Sequence, residues 1–220
     1  TLLRSIAGAR GATARAGAES TLAVWDDQLV THGAALLFGR LSLLNEIDGL
    51  VATAYEQVAP GKSASIAYLP RSFADLGEHS TLPRDRNELE ELLRKEIEIR
   101  RSEEFARGVT VVGPHRDDVL LTIGDLPAKA YASHGECWSM ALSLRLASFE
   151  LMRGLDDIPG DPVLILDDVF AELDTTRRAA LSQVAMGAEQ TIITAAVIED
   201  IPTELQAQQF FITPGLVDRG

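Results

Sequence analysis

Pro162-Val163-Leu164-Ile165-Leu166-Asp167-Asp168, continuing through Val169-Phe170-Ala171-Glu172-Leu173-Asp174, is the stretch whose reading decides the fold. Four consecutive apolar residues, Val163 to Leu166, suit a strand buried on both faces, and they end abruptly in two carboxylates. An unpaired buried charge is strongly destabilising, so Asp167 and Asp168 belong at the strand's C-terminal mouth. That edge is where open α/β sheets bind ligands, and an apolar strand ending in Asp is the Walker B pattern that holds Mg2+ on a nucleotide. Asp174 then opens a helix beginning Thr175-Thr176-Arg177-Arg178. Taken alone, the segment also fits a buried strand whose terminal acids merely cap the next helix.

A second segment shifts that balance. Tyr131-Ala132-Ser133-His134-Gly135-Glu136 leads into an apolar-periodic stretch with Trp138, Ala141, Leu142, Leu144, Leu146, Phe149 and Met152, the pattern of a buried helix. Ser133 and Gly135 therefore lie at a helix N-terminus. Free backbone N–H groups and the positive end of the helix dipole favour an anion there, and a Ser hydroxyl adds a donor. By itself this segment reads as an ordinary Ser N-cap with a glycine turn.

Ser-x-Gly-Glu before a helix, then the Asp-Asp strand end, then Leu173-Asp174, is the order of motifs in ATP-binding-cassette ATPases of the SMC and RecF type. Together with Gly113-Pro114-His115-Arg116-Asp117-Asp118 and Trp25-Asp26-Asp27-Gln28-Leu29, these motifs make nearly the whole chain resemble the RecF family. The resemblance implies an α/β fold: the C-terminal lobe of an ABC/SMC-type ATPase head, a parallel sheet with flanking helices, plus a mainly helical lid or arm subdomain. It places the lid or arm at residues 1–108 and the head lobe, with signature, Walker B and D-loop motifs, at residues 109–220.

The resemblance also implies DNA replication and recombinational repair: an ATP-dependent, dimerising, DNA-binding ATPase that helps load recombinase at gaps and supports the SOS response in the cytoplasm. Its cofactors are ATP and Mg2+. Its partners are single-stranded and gapped duplex DNA, proteins of the RecR and RecO type, and a second copy of itself, with no membrane. Carried over residue by residue, Asp167 binds the metal, Asp168 orients or deprotonates the attacking water, and Ser133, Gly135 and Glu136 face the partner's nucleotide. Asp174 couples the two sites across the dimer, and Arg116 is a further candidate; from the residues themselves, Asp117 and Asp118 either fix its pose or form a structural turn. Two alternatives stay open: a head fragment of another SMC-like ATPase, and a partner-interaction module without catalysis of its own.

Some residues depart from the family pattern. His134, Glu136 and Trp138 stand where many relatives are Gln-rich, and no histidine follows Thr191-Ile192-Ile193-Thr194-Ala195-Ala196, where transporters of the superfamily place a switch residue. A Walker A loop needs Gly-x-x-x-x-Gly-Lys-Ser/Thr. Gly61-Lys62-Ser63 is the sole Gly-Lys-Ser in the chain, yet Glu56 occupies the first glycine position, and the alternating Ala64-Ser65-Ile66-Ala67-Tyr68 that follows suits a strand. It reads as a turn. The expectation is a C-terminal portion of the family's length that is a weak ATPase only within an intact ATP-bound dimer, and is inactive alone.

The 220 residues are 46% hydrophobic and carry a net charge of −13, which argues against a DNA-binding surface on this chain by itself, since duplex affinity comes mainly from neutralising phosphates. Arg100-Arg101 and Arg177-Arg178 lie among acids and read as solvated helix faces. No apolar run approaches a membrane span. The single cysteine, Cys137, rules out an internal disulfide and suits a reducing compartment, and its helix setting suggests a small inert core residue.

Apolar spacing at Leu37, Leu41, Leu44, Ile47, Val51 and Tyr55 is helical, and Gly33, Gly39 and Gly49 predict two or three helices there. Ile66–Leu69 reads as a strand, 70–83 as a loop, and a helix starting near Asn87 ends at Gly108. Val109–Val112 is expected as a strand, with Val119–Ile123 and Leu126–Ala130 as a hairpin around Gly124-Asp125. Helix 136–153, strand 163–166, helix 175–186 and strand 191–194 then alternate, the pattern of a parallel sheet flanked by helices, and Phe210–Thr213 reads as a last strand.

Overall fold

The computed structural model describes residues 2–4, 12–73, 82–155, 160–171, 173–205 and 207–220. Glu172 and most of the expected 70–83 loop lie outside the described residues. The chain divides into two compact units, Thr1–Asp48 with Ile66–Leu121, and Gly49–Ser65 with Thr122–Gly220.

Helix α1 runs unbroken over Ala12–Val58, 47 residues, where two or three helices were expected. Glycine within a helix is unfavourable by about 1 kcal/mol relative to Ala. Burial offsets this: Val30, Ala34 and Leu37 are fully buried in the first unit, and Val51, Tyr55 and Val58 are buried further along. Gly33 also has a packing reason, because a Cβ there would sit 3.3 Å from Leu93 Cδ1 and 3.4 Å from Pro114 Cδ.

In the first unit, strand β1 is Ala64–Leu69 at its entry and helix α2 is Arg86–Arg107. Asp85 caps α2, its Oδ1 accepting from the N–H of Asn87 at 2.8 Å and of Glu88 at 3.1 Å. The cap thus precedes the expected Asn87 start. Leu89, Leu93 and Ile97, spaced four apart, present one apolar stripe that packs with Val30, Ala34, Leu37, Val111 and Val112. Opposite charges pair along this helix, Glu96 with Arg100 (3.8 Å), Glu103 with Arg107 (2.7 Å) and Glu90 with Arg86, while Arg94 reaches Asp27.

Val109–Val112 is not a strand. Gly108 ends α2 in the left-handed region (φ 64°), and the following backbone groups bond to side chains instead of a neighbouring strand. The Val111 N–H donates to Glu104 Oε1 at 2.9 Å, the Thr110 carbonyl accepts from Arg116 Nε at 2.9 Å, and the Gly113 N–H donates to Ser72 Oγ at 3.2 Å. Their side chains still fill the core. Asp26 meets Arg101, which also reaches the buried Glu104 at 2.9 Å. Burial pushes the Asp26 carboxyl up, and Arg101 opposes that shift.

Strands β1, β2 (Asp118–Ile123) and β3 (Leu126–Pro127) form one sheet in that order. The hairpin forms around Gly124-Asp125 with Thr122 opposite Pro127 and Ile123 opposite Leu126, but its second strand is shorter than expected. Pro127 has no N–H to continue the ladder, and the chain turns into the short helix α3, Ala128–Tyr131.

The second unit carries the expected alternation: helix α4 (His134–Arg153), strand β4 (Leu164–Asp167), helix α5 (Thr175–Gly187) and strand β5 (Thr191–Thr194). β4 and β5 pair in parallel, with Leu164 opposite Thr191 and Asp167 opposite Thr194. Leu142, Leu146 and Phe149 of α4, Leu164 and Leu166 of β4, Phe170, Leu173 and Leu181 share one core with Ala54 and Val58 of α1. β4 was expected to be buried on both faces, and it is not. Its residues alternate, with Leu164 and Leu166 inward while Ile165 is 64% exposed, because among the described residues only one face meets the helices. The last expected strand, β6 (Phe210–Thr213), pairs antiparallel with a strand the sequence did not suggest, β7 (Leu216–Arg219). No helix among the described residues is long and apolar enough to cross a membrane.

Candidate functional site

Asp167 is the last residue of β4, so the parallel ladder carries its carboxylate to the C-terminal edge of the sheet, exposed as the burial argument required. The register sets Thr194 directly opposite. The Thr194 hydroxyl donates to Asp167 Oδ1 at 2.5 Å. It also accepts from the Asp168 N–H at 3.2 Å, and the Thr194 carbonyl accepts from the same N–H at 3.1 Å. One threonine thus holds the Asp167 carboxylate and the Asp168 backbone, and both aspartates are exposed. Asp168 has φ 52° and is the single non-glycine residue with positive φ among those described. Asp is one of the few residues that tolerate this left-handed backbone.

At the other motif, Ser133 is the N-cap of α4 in a complete capping box with Glu136. The Ser133 N–H and O–H both donate to Glu136 Oε2 at 2.8 Å, and the Glu136 N–H donates back to Ser133 Oγ at 3.3 Å. The Lys62 ammonium donates to Glu136 Oε1 at 2.5 Å. Lys62 foremost, and Ser133 after it, hold the Glu136 carboxyl down at about 2, and the same pair raises Lys62. Gly61 has φ 96° in the turn before β1, so the turn reading of Gly61-Lys62-Ser63 holds, while its lysine serves the signature segment.

Asp174 caps α5, its Oδ1 accepting from the Arg177 N–H at 3.0 Å. The Arg177 side chain, expected on a solvated face, is instead the bridge between the motifs. Nη1 pairs with Asp174 Oδ2 at 2.8 Å, Nε donates to Ser139 Oγ at 2.9 Å, and Nη2 donates to the Gly135 carbonyl at 3.3 Å. Arg178 Nη2 likewise donates to the Phe170 carbonyl at 3.0 Å. Both arginines thus donate to backbone carbonyls that also accept elsewhere, Gly135 O from Ser139 Oγ and Phe170 O from the Leu173 N–H.

Structure therefore joins Ser133, Gly135, Glu136 and Asp174 through Arg177 and Lys62. No hydrogen bond among the described residues ties Asp167 or Asp168 to that group. Arg116 belongs to the first unit: it is exposed, and its guanidinium donates to the Thr110 carbonyl. The expected clamp by Asp117 and Asp118 is absent. Asp117 accepts from the Tyr68 hydroxyl at 2.8 Å and from Ser72 Oγ at 2.7 Å, while Asp118 meets Arg71 at 3.3 Å. Cys137 is exposed and free, not a core residue, because position 137 falls on the outer side of α4. Thr194, Arg177 and Lys62 escaped sequence reading; for Thr194 a signal existed, a hydroxyl at the end of the strand after the acids.

No group of three or more His, Cys, Asp or Glu suited to a metal occurs among the described residues. That donor set still fits Mg2+ on a nucleotide, which takes one or two carboxylates and completes its shell with phosphates and water.

No family model matches the chain. The DNA replication and repair protein RecF of Frankia alni (strain DSM 45986 / CECT 9034 / ACN14a) is 47% identical over 219 residues, covering 100% of this chain and 57% of that protein. The chain belongs to the RecF family. It spans somewhat over half the length of the RecF protein it matches. The structure of RecF-ATPrS, described as the recombination mediator protein of the RecFOR pathway, superposes with a TM-score of 0.75 at 25% identity, over 99% of this chain and 54% of that one. RecF-ATP has the same fold, with a TM-score of 0.73 at 24% identity over 91% of this chain and 52% of the other. The expected α/β ATPase-head fold, a parallel sheet with a helical region beside it, is the RecF fold.

Proposed function

We propose that this chain supplies the signature, Walker B and D-loop part of an ATP-dependent DNA replication and repair protein that dimerises on nucleotide. The observation that carries the reading is the pair Asp167 and Asp168, held by Thr194 at the C-terminal edge of a parallel sheet. The 47% identity to a DNA replication and repair protein and the likeness to RecF bound to ATPrS support it. Residues 1–108 serve as lid or arm and residues 109–220 as the head lobe.

Mg2+ supplies charge neutralisation on the transferring phosphate, and Asp167 is the residue that would hold it. Asp168 orients the attacking water or takes its proton. Ser133 and Gly135, at the positive end of α4, grip the γ-phosphate bound by the partner copy, with Glu136 beside them. Asp174, tied to Gly135 through Arg177, transmits the state of that grip to the dimer interface. Single-stranded and gapped duplex DNA bind surfaces of the whole protein, where RecR and RecO type partners also dock, a reading supported by the charge of −13 on this chain, and Arg116 is a contact candidate because it is exposed. Gap repair and the SOS response in the cytoplasm follow from that assembly.

Asp168→Asn in the full-length protein tests the reading, since it keeps shape and hydrogen bonding but removes the base. Hydrolysis should fall by about 10²–10⁴ while ATP-driven dimers persist longer. Loss of ATP binding instead would reassign Asp168 as a metal ligand or structural residue.

A further inference from the structure

We propose that Lys62 is a phosphate ligand of the signature site, and that Glu136 is the internal anion that holds the site's donors until nucleotide arrives. The assignment rests on the signature reading above and adds a residue to it.

Three donors converge on one carboxylate: the Ser133 N–H and O–H on Oε2, and the Lys62 ammonium on Oε1. A backbone amide, a hydroxyl and an ammonium at the start of a 20-residue helix are the donor set that a phosphoryl group requires. Glu136 therefore occupies, chemically, the place of a phosphate. Lys62 comes from 74 residues earlier in the sequence, delivered by the turn at Gly61. Its side chain is 60% exposed, and an exposed ion pair adds little to stability, so bracing the fold is a poor account of the contact.

A second feature points the same way. Tyr55 is fully buried, and its hydroxyl has no hydrogen-bond partner. The electrostatic influence of Glu136, Lys62 and Arg177 reaches this hydroxyl, so a buried polar group lacking a partner lies in the neighbourhood of the same cluster. Burial foremost, then Glu136, raises its pKa, which keeps it a neutral donor. When a phosphoryl group of the partner's nucleotide arrives, it competes for the Ser133 hydroxyl and the Lys62 ammonium, and Glu136 is displaced. No bond is made or broken beyond hydrogen bonds.

The two residues should then act with opposite signs on one readout. In the full-length protein, dimer formation is followed by sedimentation as ATP with Mg2+ is titrated. Lys62→Gln should shift the midpoint to about tenfold higher ATP, Lys62→Arg should stay within about threefold of wild type because it keeps the cation, and Glu136→Gln should shift it to lower ATP. Circular dichroism melts confirm that each variant folds. Ser133→Arg, which fills the helix N-terminus, should remain monomeric. If it dimerises, the signature reading itself falls and the Lys62 assignment with it. A monomeric Ser133→Arg beside a Lys62→Gln that titrates like wild type overturns the assignment alone, as does equal weakening by Lys62→Gln and Glu136→Gln.

Discussion

Arg177 reaches across from α5 to donate from Nη2 to the Gly135 carbonyl at 3.3 Å, so the helix opened by Asp174 and the helix opened by Ser133 share one guanidinium. The contact is also steric: a Cβ at position 135 would lie 3.3 Å from that same nitrogen. An added Cβ would therefore make the guanidinium give by a few tenths of an ångström while it stays bonded to Gly135 and Ser139.

Arg177→Ala should therefore destabilise the chain by about 1–2 kcal/mol, since the Ser139 hydroxyl and the Gly135 carbonyl lose a charged donor. Gly135→Ala should gain nothing in the wild-type background, although Ala is the better helix former by about 1 kcal/mol. In the Arg177→Ala background the same change should become stabilising. Urea unfolding of the four species forms a double-mutant cycle, and strict additivity would mean that the two residues do not touch.

Thr194→Val keeps the strand and the carbonyl that accepts from the Asp168 N–H but removes the hydroxyl that holds the Asp167 carboxylate. With Asp167 Oδ1 released, hydrolysis by the full-length protein should fall by about tenfold, a loss of the size that mispositioning brings. The Mg2+ concentration needed for half-maximal rate should rise. Thr194→Ser should restore both. A valine variant with unchanged Mg2+ dependence would remove Thr194 from the site.

The acid limb of stability should report the signature segment. Glu136 is held down to about 2 from an ordinary 4.5 by Lys62 and Ser133. A depressed carboxyl stabilises the fold above its unfolded value and loses that contribution as pH falls through the folded one. Because the Lys62 side of the pair is exposed, wild type should be only slightly more stable than Glu136→Gln at neutral pH, and that small gap should close between about pH 4.5 and pH 2. Paired chemical denaturation curves across that range would expose a constant gap if the carboxylate were unpaired.

The isolated 220-residue chain should not hold ATP at micromolar concentration, because no Gly-x-x-x-x-Gly-Lys-Ser/Thr occurs in it to wrap the phosphates. Calorimetry on that chain measures this directly, and a micromolar isotherm would show that the signature and Walker B groups suffice.

What could be read in the sequence was whatever depends on neighbours along the chain. Ser133 with Glu136, and Asp174 with the Arg177 N–H, are caps three residues long, and both were legible. The strand ending at Asp167 was legible for the same reason, as a run of apolar residues meeting a charge. Partners far apart in sequence were not: Lys62 lies 74 residues before Glu136, and Arg177 lies 42 after Gly135. Val109–Val112 misled because β-branched residues suit strands in general, while side chains of Glu104, Ser72 and Arg116 took the backbone groups a strand would have paired. Glycine counting misled in α1, where buried neighbours outweighed propensity.

The left-handed backbone at Asp168 couples two properties that are otherwise independent, the hand of the chain and the reach of an acid. Left-handed residues are tolerated when the side chain is short and polar enough to bond to nearby backbone. Lengthening the carboxylate by one methylene would extend the acid, yet a longer side chain is less readily accommodated on a left-handed backbone. On the role proposed above for Asp168, its reach is therefore bounded by a turn: a longer acid would need a reshaped loop after β4 as well.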